Sequence, residues 1–110
     1  MPFYMFQGRY TTDSIKDLIA TPQDREAAAR TMIESLGGTL HSFFFSFGSE
    51  DVVAIMEMPD DTAMAAGSML VGGSGAMSGG SSTKLMTMAE AMGAMKAAGA
   101  AKAHYKPVGR

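Results

Sequence analysis

The chain has 110 residues, a net charge of −2 and an apolar fraction of 46%, which fits one small folded domain and excludes a disordered chain. No basic block is present, so nucleic acid and anionic membranes are poor partners on charge grounds. Cysteine is absent, which excludes disulfides, thiolate metal sites and cysteine nucleophiles.

Phe3 to Tyr10 reads as a first strand, with Tyr4 and Tyr10 on one face by period two and Gly8 marking a close backbone approach or a bulge. The first ten residues carry no basic region and no long apolar run before Gln7 and Arg9, so no signal peptide is read there. No stretch approaches the roughly 20 apolar residues of a membrane span, and a cytoplasmic setting is expected. Thr12 or Asp13 starts a short helical piece with Ile15, Leu18 and Ile19 at helical spacing. A second helix is expected from Thr21 as cap and Pro22 as first residue, with Asp24 near its positive end. Ala29, Met32, Ile33 and Leu36 form its apolar stripe, and Gly37-Gly38 stop it.

Thr39 to Phe47 reads as the second strand, with His41, Phe43, Phe45 and Phe47 on one face and Leu40, Ser42, Phe44 and Ser46 on the other. Gly48-Ser49-Glu50-Asp51 makes the turn. Val52 to Met58 is the third strand, apolar on both faces except at Glu57. Pro59 ends it, and Asp60 caps a helix with a slim stripe of Ala63, Ala66, Gly67 and Leu70. The glycine-rich stretch Gly72 to Gly80 reads as a loop, and Ser82 to Met86 as a short fourth strand. Thr87 and Glu90 form a capping box for a last helix carrying Met88, Met92 and Met95 and fading at Gly99.

This order predicts an α+β fold: a ferredoxin-like βαββαβ antiparallel sheet with helices on one face and an extra C-terminal helix. The reading gives a single domain over 1–110, with its core in about 1–90 and a C-terminal helix and tail in about 88–110. The two-sided hairpin then requires a cover for the open face, and two sheets meeting face to face make a dimeric α+β barrel. The expected partner is a second copy, as a dimer or a larger ring such as a hexamer built as a trimer of dimers.

The chain resembles the GYD-domain family of small bacterial proteins. The resemblance lies in Pro2-Phe3-Tyr4 through Gly8-Arg9-Tyr10-Thr11, in Leu36-Gly37-Gly38 through Ser42-Phe43, in Phe47-Gly48-Ser49-Glu50-Asp51-Val52-Val53-Ala54-Ile55, and in Pro59-Asp60-Asp61 with its Ala-rich helix. It covers residues 1 to about 90. The family's turn has Gly, a variable residue, Tyr and Asp; here Glu50 stands in place of the tyrosine, while Gly48 and Asp51 remain. The family is similar in fold to dimeric α+β barrel proteins, among them cofactor-free oxygenases, isomerases and haem-degrading enzymes. The resemblance therefore implies a fold and an assembly and leaves the reaction open.

Four residues are candidates for chemistry. His41 could line an inter-sheet pocket, shuttle a proton or hold haem or a metal; packing with a backbone hydrogen bond is the competing reading. Glu50 and Asp51 could act as base or ligand anchor at a cavity mouth, against a turn-forming role for Asp51. Tyr10 could orient a substrate or simply pack in the core. The 12 methionines include Met56, Met58, Met88, Met92 and Met95, whose strand and helix periods suit packing better than a copper site. Lys84 does not follow the glycines at phosphate-loop spacing, and a helix rather than a strand precedes them.

The sequence supports two main functions and a third. One is a homo-oligomeric structural or small-ligand-binding module with an apolar ligand and no cofactor. The second is a dimeric α+β barrel enzyme acting on a small apolar or aromatic molecule through His41, Tyr10, Glu50 and Asp51, with a cavity beside His41. The third is haem or metal binding through His41.

Overall fold

A computed structural model describes residues 1–109. The elements run β1 (Phe3–Tyr10), α1 (Thr12–Ala20), α2 (Arg25–Ser35), β2 (Thr39–Phe45), β3 (Val52–Glu57), α3 (Asp61–Gly73), β4 (Met77–Leu85) and α4 (Met88–Ala101), ending in a 3-10 turn at Lys102–His104. The strands form one sheet in the order β2-β3-β1-β4, with every neighbouring pair antiparallel. This is the α+β, ferredoxin-like arrangement expected from the order of the elements.

One sheet face carries the core. Tyr4, Leu40, Ala54 and Met56 from the strands and Met58 just past β3 pack with Ile33 of α2 and Met64 of α3. Ala29, Met32 and Leu36 of the predicted stripe pack against this cluster. Gly37 stops α2 with φ +84°, a left-handed value that only glycine adopts without strain. Gly38 follows because β2 enters here against Met58 and the Glu57 carbonyl, leaving no room for a Cβ.

Four boundaries differ from the sequence reading. First, α2 is capped by Asp24, whose carboxylate accepts the Ala27 N–H at 3.0 Å. Thr21 instead closes α1, its N–H bonding the Asp17 carbonyl. An aspartate at Ncap competes well with a threonine, and Pro22-Gln23 serves as the link. Second, β2 ends at Phe45 and does not reach Phe47. The Ser46 N–H donates to the Asp51 carbonyl at 2.9 Å and closes the hairpin, which leaves Phe47 exposed in the turn. Third, the register of β2 on β3 shifts between Leu40 and Ser42. The extra residue breaks the period, so Leu40, Phe43 and Phe45 lie opposite the core-facing Met56, Ala54 and Val52, while Ser42 and Phe44 lie opposite Ile55 and Val53. His41 is thereby parted from Phe43 and Phe45.

Fourth, the glycine-rich stretch is mostly regular structure. α3 runs to Gly73, a turn with Gly75 at φ +79° follows, and β4 begins at Met77. The reason is close approach. Gly80 pairs with Gly8, and a Cβ on Gly80 would sit 2.7 Å from the Gln7 carbonyl oxygen. The ring of Phe6 occupies the space beside both glycines. Composition points to a loop here, but the bare backbone is what lets the ladder form.

Among the described residues no element packs substantially on the other face of the sheet, which presents Phe3, Met5, Phe44, Val53, Ile55 and Leu85. Phe44 is 67% exposed. The predicted capping box of α4 is present, yet the helix buries none of its residues. Its Met88, Met92 and Met95 are all exposed, so the methionine stripe is not core within one chain. No helix among the described residues is long and apolar enough to cross a membrane.

Candidate functional site

An apolar cavity of about 250 Å³ lies between the core face of the sheet and helices α2 and α3. Its sheet wall includes Phe6, Phe43, Val52 and Ala54, and its helix wall includes Met32, Ile33, Met64 and Val71. A more open depression of about 480 Å³ adjoins it through Phe6, Ser68, Val71 and Met77.

Tyr10 is the one candidate residue that lines this cavity. It is buried at the end of β1, its ring stacked on Phe45 at 5.8 Å. Burial pushes its hydroxyl above the ordinary phenol range, while the nearby Arg25 guanidinium pulls the other way. Arg25 lines the cavity as well. It stands at the first position of α2, where the exposed N–H groups already favour negative charge.

Asp51 ties the hairpin to β1. Its carboxylate accepts the Tyr10 N–H at 3.0 Å, and its own N–H donates to the Gly8 carbonyl at 2.8 Å. Both bonds are structural, and Asp51 does not line the cavity. Glu50 faces Arg9 at 3.4 Å, and Arg9 also donates from Nε to the Ser49 carbonyl at 2.8 Å. Oε2 of Glu50 is enclosed with no partner among the described residues. The turn aspartate thus fixes Tyr10, while the residue standing at the family's tyrosine position meets an arginine.

His41 lies away from the cavity. Its Nε2 is 2.7 Å from Oε1 of Glu57, and its ring packs on Phe3 at 5.4 Å. Glu57 and Phe3 are paired across β3 and β1 on the uncovered face. His41 lines neither the cavity nor the adjoining depression. Any pocket beside it would be made by a second sheet. Among the described residues no group of three or more His, Cys, Asp or Glu comes together to hold a metal ion.

A further polar cluster sits at the start of α3. The buried Tyr4 hydroxyl donates to the Asp61 carboxylate, which also meets Lys84 at 2.9 Å. Burial first, then Asp61, pushes the Tyr4 hydroxyl up to about 12. Tyr4 and Lys84 together hold the Asp61 carboxyl below the usual range. Sequence reasoning missed Arg25, Glu57, Asp61 and Lys84 as partners, since each lies far along the chain from the group it meets. Period two in β3 did place Glu57 on the face where it meets His41.

A four-stranded antiparallel sheet with helices on one face and a short aspartate turn at its hairpin defines a small α+β domain. The GYD-domain family model matches residues 4–101, and the chain belongs to that family. No curated protein and no solved structure matches it.

Proposed function

We propose that this GYD-domain protein is a homo-oligomeric module of the cytoplasm that assembles through its sheet faces and holds a small apolar molecule. The uncovered sheet face carries this reading. Phe3, Met5, Phe44, Val53, Ile55 and Leu85 form an apolar surface over all four strands with no element across it among the described residues. Fully burying such a side chain is worth roughly 1.5–3 kcal/mol, and covering the exposed Phe44 together with the partly exposed other five recovers a share of that at each, which gives a second copy a reason to dock. The α4 stripe offers a further surface by which dimers extend into larger rings.

Sedimentation velocity tests this. The protein is expected to run as a dimer or larger at micromolar concentration, and Ile55→Asp, placing a charge in the middle of the face, is expected to give a folded monomer. A native chain that sediments as a monomer removes the assembly.

A second reading, a proton-transferring enzyme of the dimeric α+β barrel kind, is favoured by the His41–Glu57 contact. A carboxylate holding a histidine ring is the arrangement a general base uses, and here it lies on the face a partner would enclose. A crystal structure of the assembly decides it. An open pocket beside both His41 rings supports the enzyme; a gap packed solid by Phe44 and Met5 removes it.

A further inference from the structure

The cavity under α2 and α3 has a polarity along it. Its body is apolar, and several flexible methionines, among them Met32, Met64 and Met77, line it. Such thioether walls adapt to the shape of what they hold. At one end stand Tyr10 and Arg25. No carboxylate lies within ion-pair distance of Arg25 among the described residues; its Nη1 donates to the neutral Gln23 side chain at 3.0 Å. The neighbouring Asp24 is turned to cap α2, and Glu26 pairs with Arg30 at 3.2 Å. A cation at the first position of a helix faces the positive end of the helix dipole, so both favour an anion at that spot. Ser68 and Ser74, the other polar side chains of the lining, are already bonded to the α3 carbonyls of Met64 and Val71.

We propose that this cavity binds a small carboxylic acid with an apolar body, its carboxylate on Arg25 and the Tyr10 hydroxyl and its hydrocarbon among the methionines. The volume of about 250 Å³ is below the range of drug-sized pockets, which limits the ligand to a short chain or a single ring. The proposal rests on the ligand half of the module described above and gives that ligand a chemical class. It does not use the sheet face that makes the assembly.

Calorimetric titration of the intact protein at neutral pH with octanoate and with 1-octanol, its neutral counterpart, tests it. Octanoate is expected to bind saturably, one per chain, at least about tenfold tighter than octanol, the scale of one charge-assisted hydrogen bond. Arg25→Gln should bring the two affinities together by weakening octanoate alone. Val71→Phe, which fills the cavity wall, should weaken both. Methyl NMR locates the site: the resonances of Met32, Met64 and Met77 should move and those of Met88, Met92 and Met95 should not. Equal affinities in the native protein, an octanoate affinity untouched by Arg25→Gln, or shifts confined to Met5 or α4 would overturn the proposal. Saturable binding of octanol alone refutes the acid while sparing the apolar-ligand module. Binding of neither removes the ligand, and sedimentation then still judges the assembly.

Discussion

Tyr4 is buried in the core and ends at a surface carboxylate. Its hydroxyl, raised to about 12, holds its proton longer in the folded chain than in the unfolded one. Stability from this group is therefore complete below about pH 10, the phenol's ordinary value, and is lost as pH rises toward 12. Asp61 behaves in the opposite sense: its lowered carboxyl contributes above the ordinary aspartate range and fades as pH falls through the folded value. Tyr4→Phe is expected to flatten the alkaline limb of a stability–pH curve measured by urea unfolding, leaving only the part due to Tyr10, which is shifted the same way. An unchanged limb would mean that Tyr4 does not titrate with unfolding. Gly38 gives a steric case at the same scale. A Cβ there would lie 2.6 Å from the Glu57 carbonyl oxygen, a backbone atom that cannot swing aside. Gly38→Ala should cost about 1–3 kcal/mol, read from the urea midpoint at unchanged slope.

At the scale of elements, the β2–β3 hairpin is held to β1 by Asp51 at its turn end and by the Met58 N–H on the Pro2 carbonyl at the other. Asp51→Ala leaves the Tyr10 N–H without its acceptor and should destabilise the fold by about 1–3 kcal/mol. Amide exchange at Tyr10 should quicken more than at Ile55 in mid-strand. A uniform change across the sheet would argue that Asp51 acts elsewhere. The β2 bulge has a functional consequence. Simple alternation puts His41 with Phe43 and Phe45, but one extra residue moves it to Glu57 and Phe3. The cavity and the histidine consequently lie on opposite sides of one sheet, and a site that used both would need two faces at once.

For the whole molecule, the contrast between covered and uncovered apolar surface matters most. The core face meets α2 and α3, whereas the opposite face and the α4 stripe meet nothing substantial among the described residues. Of the four helices, α2 and α3 supply the core, whereas α1 and α4 bury no residue, so one face of the sheet is left open. The proposed assembly gives the two surfaces separable outcomes: Ile55→Asp should abolish the proposed sheet-face dimer, while Met92→Glu on α4 should leave it and lower only the mass of any larger ring. Light scattering of the two variants distinguishes them, and loss of the basic dimer in Met92→Glu would place α4 within the first interface instead.

The sequence alone established the order of elements, the stop at Gly37-Gly38, the shared face of Tyr4 and Tyr10, the two-sided β3 and the α4 capping box. Each of these depends on neighbours within a few residues or on a strict period, so local chemistry determines it. Tertiary structure decided the β2 bulge, the extension of the fourth strand back from Ser82 to Met77, and the meeting of Arg25 with Tyr10. These depend on contacts between segments distant in the chain: the β3 register that receives an extra residue, the Phe6 ring beside Gly8 and Gly80, and a helix start brought over the end of β1. Such contacts leave no periodic trace in sequence, because their energy exists only once the sheet has formed.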